Sequence, residues 1–387
     1  MKLKKWLAFA LAGLMTTSLL TACGSSNTSG GNNDSSKTPA NSTSASGDVS
    51  IPDDYDWPEM TLTCATQASE ENEISITSRM FIDKVTEYTN GAIKFDEYFN
   101  ASLGSGVDQL SNIGNGIADC GDIVTLYTPS DLVLSQITYC LPFAPSDPKV
   151  AADIMNDFAE MHPEVLDEVT KNGVHALFYK GIENYDIFGA VPVNTLDDLK
   201  GNRFCVGGIY YSPWFEAVGA VPQSATMADM YQNYKNNVND SGLQFASSWI
   251  EFSLYEVAPY WCKVGLGSRA CHIFGFNNDT WNNLDPEVQA LFTQVADEVY
   301  DEYHTWLNGK IDEWAQELEA QPNMVISEMS QEDKELWVQK IFDYKDTLQM
   351  WIDDADAAGY DGKTMMHDYL TIAEGYGHEW PFDTSAY

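Results

Sequence analysis

From Thr61 to Leu126 the apolar residues switch back and forth between a period of two and a period near 3.6, and no other feature of the chain constrains its fold as much. Residues 61–66 alternate, with Leu62, Cys64 and Thr66 on one face and Thr61, Thr63 and Ala65 on the other, as a half-buried strand does. Ile74, Ile76, Met80, Phe81 and Val85 then recur at helical spacing until Asn90-Gly91 stops them. Residues 92–95 read as a second strand, 107–113 as a helix closed by Gly114 and Gly116, and 120–126 as a third strand. Strands separated by helices pair through crossovers, so the class is α/β.

The alternation continues. Residues 153–169 read as a helix, 174–179 as a strand, 195–199 as a short helix and 203–206 as a strand. Helices follow at 214–218 and 227–235, with buried strands at 261–265 and 272–276. From Asp285 the pattern is almost wholly helical. Leu291, Val295, Val299, Tyr303, Leu307 and Ile311 line one face of a long segment, and 334–352 forms another helix. Such stripes build core rather than site. No internal repeat is present.

Lys2, Lys4 and Lys5 precede an apolar run from Trp6 to Leu20, a charged-then-apolar order typical of an export signal. The run ends in Leu20-Thr21-Ala22-Cys23-Gly24, which resembles the lipobox of bacterial lipoproteins. That resemblance implies cleavage after residue 22 and a diacylglyceryl group on Cys23, a stable attachment to membrane lipid. Residues 23–58 are then a linker, rich in Ser, Gly, Asn and Thr up to Ser50, with a coil span of about 30 Å.

The formal charge of -38 makes nucleic acid and anionic lipid surfaces poor partners. Apart from Cys23 there are Cys64, Cys120, Cys140, Cys205, Cys262 and Cys271, an even set that export would allow to pair. Several lie in apolar strand-like runs, so buried free thiols are expected, with Cys262–Cys271 the first pair to check. The histidines at 162, 175, 272, 304, 367 and 378 have no metal-ligand spacing, and neither a nucleophile elbow nor a phosphate loop occurs. Residues 354–359 look briefly like a calcium loop, but Ala358 and Met365 stand where oxygen ligands belong. No catalytic residue, metal or cofactor is assigned.

Several short segments occur in a familiar order: Phe81 to Gly91, Ile93-Lys94, Ser102-Leu103-Gly104, Gly116-Ile117-Ala118-Asp119 and Leu141-Pro142-Phe143. Leu196 to Gly201, Val218 to Pro222, Met230-Tyr231 and Leu254 to Val257 continue it. Over roughly residues 59–350 the chain resembles the DctP-type substrate-binding proteins of tripartite ATP-independent periplasmic (TRAP) transporters. The resemblance implies a two-lobe, periplasmic-binding-protein-like (type II) fold with a long connecting helix and a helical C-terminal region. Lobe one would hold 59–182 and 270–310, and lobe two 183–269 and 311–387, with 359–387 packing as a further helix on lobe two. The implied role is extracytoplasmic capture of a small organic ligand between closing lobes, for delivery to the small and large TRAP membrane subunits. A lipoprotein of an ABC transporter would share the anchor, the tether and the two-lobe closure.

Most of the family hold a ligand carboxylate with an arginine after the Asp-Leu-Lys-Gly turn, and here the matching residue is Cys205. A second family arginine matches Tyr185, and the family's asparagine matches Gln244. Carrying positions over one at a time gives Gln67, Thr125, Tyr185, Cys205, Tyr210, Gln244 and Trp249 as ligand-binding candidates. That neutral and aromatic set fits a neutral, cationic or ring-stacked ligand better than a dicarboxylate. Arg203 shares a strand face with Cys205 and offers an alternative guanidinium for a carboxylate, or simply faces solvent or a surface carboxylate.

Overall fold

The computed structural model describes residues 55–225 and 227–387. The export signal, Cys23 and most of the linker lie outside the described residues. Eleven strands form among the described residues. In chain order they are β1 Met60–Ala65, β2 Ile93–Tyr98, β3 Cys120–Val124, β4 Val174–Gly181, β5 Asp186–Gly189 and β6 Arg203–Cys205. The rest are β7 Val221–Gln223, β8 Ser241–Gln244, β9 Tyr260–Lys263, β10 Ala270–Asn277 and β11 Val325–Glu328.

They divide into two sheets, which gives the two-lobe α/β fold that the sequence implied. The first runs β2-β1-β3-β10-β4 and the second β11-β9-β5-β8-β6-β7. In the first sheet β1 is parallel to β2 and β3, while β10 is antiparallel to β3 and β4. The helix Glu73–Tyr88 makes the crossover from β1 to β2. Asn72 caps it by accepting from the Ile74 amide, and Asn90, in the left-handed region at φ 49°, follows its end.

The chain passes between the sheets three times. Residues 182–185 lead from β4 to β5 and residues 264–269 return from β9 to β10. These two segments lie side by side, with Ile182 N donating to Arg269 O at 3.1 Å and Leu266 N to Tyr185 O at 3.0 Å. The third passage is the helix Pro286–Glu319, which packs on helix Glu73–Tyr88 at one end and on helix Ala246–Glu251 at the other. One apolar cluster runs through both halves, from Ile123 and Tyr179 to Phe204, Trp214, Trp337 and Trp351. No helix among the described residues is long and apolar enough to cross a membrane.

Three expectations need correcting. The helix read over 153–169 is two, Pro148–Met161 and Glu164–Lys171, because Pro163 cannot continue the first. Residues 334–352 likewise split into Gln331–Tyr344 and Thr347–Ala357, where Asp346 accepts from the amides of Leu348 and Gln349 and so starts a new helix. The C-terminal helix Gly362–Gly375 packs on helix Pro148–Met161, beside the first sheet rather than on lobe two. Tyr369 meets Phe158 edge-on, His162 bonds Asp368 at 2.9 Å, and Tyr376 donates to Asp157 at 2.7 Å. All six described cysteines are buried and unpaired, and Cys262 and Cys271 stand on strands of different sheets.

Within the first sheet Lys180 and Asp122 are fully buried and bonded at 3.1 Å. The ammonium also donates to Ile74 O at 2.8 Å and to Thr77 Oγ1 at 2.7 Å, so β4 is fastened to the first turn of helix Glu73–Tyr88. Removing one member of such a pair strands the other charge, at a cost of about 3–5 kcal/mol. Lys180→Met should lose that much stability in urea unfolding, and Lys180→Met with Asp122→Asn should regain part of it. Equal losses in the two variants would contradict the pairing.

Candidate functional site

Loops at the strand ends of the two sheets approach each other. On the first side are the loop after β1 and residues 125–127 after β3; on the second are residues 206–211 after β6 and the turn from β8 into helix Ala246–Glu251. The rims touch. Ser69 Oγ donates to Glu251 Oε1 at 3.1 Å, and Asn72 Nδ2 donates to the other oxygen of that carboxylate. Gly208, at φ 84°, lets the chain pass under Leu126, whose Cδ1 would sit 2.5 Å from any Cβ there.

Aromatic rings gather where the two halves meet. Tyr185 meets Phe245 at 5.5 Å and Tyr211 at 6.0 Å, and Tyr211 meets Tyr139 edge-on at 5.7 Å. Tyr127 is 41% exposed and lies beside Gly106, where the Gln67 side chain rests against the backbone. Thr125 is buried; its hydroxyl donates to Cys271 O at 3.0 Å and pairs with the Tyr139 hydroxyl at 3.1 Å. Gln244 is half-buried opposite Asp186 in the β5–β8 register, which brings Phe245 next to Tyr185.

Thus Thr125 and Tyr185 border these rings through Tyr139 and Tyr211, Gln67 lies beside Tyr127, and Gln244 precedes Phe245, while the other candidates have different neighbours. Cys205 and Trp249 belong to a core cluster of the second sheet with Phe188, Met230 and Tyr234. Trp249 stacks on Phe188 at 4.7 Å and donates its indole N–H to Ala258 O. Tyr210 is buried and donates to Asp354 at 2.6 Å, which gives Asp354 a structural use in helix Thr347–Ala357. Arg203 is 39% exposed and binds both oxygens of Asp240, leaving the cleft without its guanidinium.

Sequence reasoning missed Arg269, the one arginine that is fully enclosed. Its Nε donates to the Tyr211 hydroxyl at 3.2 Å, Nη1 to Ser268 O at 2.8 Å, and Nη2 to Leu141 O and Leu266 O at 3.2 and 3.0 Å. Tyr211 and Trp214 present their ring faces to it at 5.9 and 5.7 Å. The available signal was a lone arginine immediately before the apolar run of β10.

Glu73 and Glu183 form a buried acidic pair. Glu73 accepts from the Tyr303 hydroxyl at 2.9 Å, and Glu183 accepts from Ser247 N at 3.2 Å, the first turn of helix Ala246–Glu251. Burial pushes the Glu73 carboxyl up to about 7, against the pull of Tyr303 and Lys180. Burial and then Glu73 hold Glu183 well above the usual carboxylate range. Burial also lifts the thiols of Cys205 and Cys271 to about 11 and 12, so both are protonated and poorly nucleophilic at neutral pH. Phenols, amides and capped carboxyls of this kind suit binding a molecule rather than attacking one. No group of three potential metal ligands occurs among the described residues.

Residues 64–348 match DctP, the bacterial extracellular solute-binding protein family 7. This chain belongs to the DctP family. The C4-dicarboxylate-binding protein DctB of Bacillus subtilis (strain 168) is 23% identical over 282 residues, 70% of this chain and 77% of that protein. A TRAP solute-binding protein of Rhodoferax ferrireducens T118, solved with copurified benzoate, superposes with a TM-score of 0.72 at 15% identity, over 82% of this chain and 98% of that one. One from Sulfitobacter sp. NAS-14.1, with bound β-D-galacturonate, gives 0.68 at 19% identity, over 81% and 100%. These likenesses fix the fold, and the DctP family is one of extracytoplasmic solute binders.

The Glu73 carboxyl has a testable consequence. Its folded pKa, about 7, exceeds its ordinary value of 4.5, so folding favours the protonated form. The stability it contributes is complete below about pH 4.5 and is lost as pH rises through about 7. In urea unfolding between about pH 5 and pH 8, Glu73→Gln should lose less stability than the parent. An identical slope in both proteins would contradict the assignment.

Proposed function

We propose that this DctP protein is an extracytoplasmic lipoprotein that captures a small neutral, cationic or aromatic molecule in the tyrosine-lined cleft. It would hand that molecule to the small and large membrane subunits of a TRAP transporter. The observation that carries the ligand reading is the use already made of every arginine. Arg79 pairs with Glu70, Arg203 with Asp240, and Arg269 is enclosed by three carbonyls and a tyrosine. Lys180, the buried ammonium nearby, is bonded to Asp122. The cleft thus offers ring faces and neutral donors, with Tyr185 where the family resemblance places an arginine. Within this reading the lobes divide as 59–182 with 270–310 and 183–269 with 311–387, except that the last helices lean on lobe one.

A second reading rests on Arg269, for which no carboxylate partner occurs among the described residues although the chain carries 58 acidic residues. A ligand carboxylate beside Tyr185 and Tyr211 would supply the missing anion. A thermal-shift screen of the folded body against acids, sugars, amines and aromatic compounds separates the two. A ligand at 100 times its dissociation constant adds about 2.7 kcal/mol. Hits among neutral, amine or aromatic compounds, abolished in Tyr185→Ala, are expected. Hits confined to carboxylates would overturn the first reading and favour the second.

The anchor is proposed on the Leu20 to Gly24 motif. Cys23→Ala should move the protein from the membrane fraction of producing cells to the soluble fraction. Retention in the membrane would contradict lipidation at Cys23.

A further inference from the structure

Two cysteines that the cleft does not use lie side by side in the first sheet. Cys64 on β1 and Cys120 on β3 are register partners where these strands run parallel. Both enter the same apolar cluster, with Phe81, Phe274 and Phe276, and their exposures are 2% and 0%. Neighbouring strands are about 4.8 Å apart, which falls inside the Cα separation of about 4.4–6.8 Å that disulfides span. The two side chains are in contact: after burial itself, a hydrogen bond to Cys64 is the largest influence holding the Cys120 thiol above its ordinary range.

The remaining cysteines are placed differently. The Cys140 thiol donates to Ile137 O at 3.1 Å, Cys205 sits in the core of the second sheet, and Cys262 and Cys271 are on strands of different sheets. The pair is thus specific among the described cysteines, and the DctP family works outside the cytoplasm, where disulfides persist.

We infer that Cys64 and Cys120, which stand as free thiols in this structure, are oxidised to a disulfide during folding of the exported protein, tying β1 to the central strand β3. The oxidant is a disulfide donor of the thiol–disulfide oxidoreductase class. One cysteine thiolate attacks a donor sulfur and expels the other donor sulfur as a thiolate. The second cysteine thiolate then attacks the mixed disulfide, forming the Cys64–Cys120 bond and releasing the donor as a dithiol. Two cysteines are oxidised, the donor disulfide is reduced, and the two cysteine protons end on the donor. Burial sets the timing: enclosed thiols exchange slowly once the sheet has closed, so the bond is made before packing is complete. The closed loop contains helix Glu73–Tyr88 and β2, so the bridge would fasten the whole β1–β2 crossover to the sheet centre. This inference depends on export and not on the ligand reading, and either can fail alone.

The test uses protein exported by its producing cells, denatured and alkylated with iodoacetamide before any reductant is added. Peptide mapping should recover Cys64 and Cys120 as one cross-linked pair, with intact mass lower by about 2 Da for the two hydrogens lost. Cys140, Cys205, Cys262 and Cys271 should be alkylated directly, and Cys64 and Cys120 only after reduction. Alkylation of Cys64 and Cys120 as complete as that of the other four would overturn the inference. A bridge from either one to a different cysteine would overturn it equally.

Discussion

Residues 182–185 and 264–269 are held side by side between the sheets by backbone hydrogen bonds, and the Arg269 side chain fastens the returning segment to both halves. Its planar fork reaches the carbonyls of Leu141, Leu266 and Ser268 and the hydroxyl of Tyr211 at once. A lysine, with its point charge and three donors, could not span acceptors so far apart. Leu141 precedes the loop into helix Pro148–Met161 of the first half, and Tyr211 precedes helix Ser212–Glu216 of the second. One side chain therefore ties both halves to the crossing segments. The buried carboxyl of Asp186 does the same work from the other side, accepting from Val264 N, Gly265 N and Trp261 Nε1.

Arg269 and Lys180 already have their donors bonded, while burial holds the Glu73 and Glu183 carboxyls above their ordinary range. The long helix Pro286–Glu319 contributes through Tyr303, which bonds Glu73 and Gly181 O, and His304, whose Nε2 accepts from Gly181 N. The third passage between the sheets thus braces the end of β4, where the first begins.

The sequence made the first sheet legible because its strands and helices are long enough to show a period. β1, β2, β3, β4 and β10 all fall close to their expected positions. β5, β7, β8 and β11 have three or four residues each, too few for alternation to appear, and they exist only because a neighbouring strand supplies hydrogen bonds. The breaks at Pro163 and Asp346 were written in the sequence and overridden by apolar runs that continued past them. Among the positions carried over from the family, Tyr185, Thr125 and Gln67 flank strand ends with a fixed place in the fold, whereas Trp249, Cys205 and Tyr210 have surroundings built by side chains from distant elements, which family position does not show. Arg269 was invisible for the same reason: its partners are a tyrosine hydroxyl 58 positions away, a carbonyl 128 positions away and two nearby carbonyls, and carbonyls leave no mark in a sequence.

The account stands or falls on what occupies the cleft. Non-denaturing mass spectrometry of the exported protein, recovered without added ligand, would weigh any molecule carried through purification and identify it after release. A single neutral, amine-bearing or aromatic compound, absent from Tyr185→Ala prepared in the same way, is the predicted result. A C4-dicarboxylate retained equally by the parent and by Tyr185→Ala would contradict it.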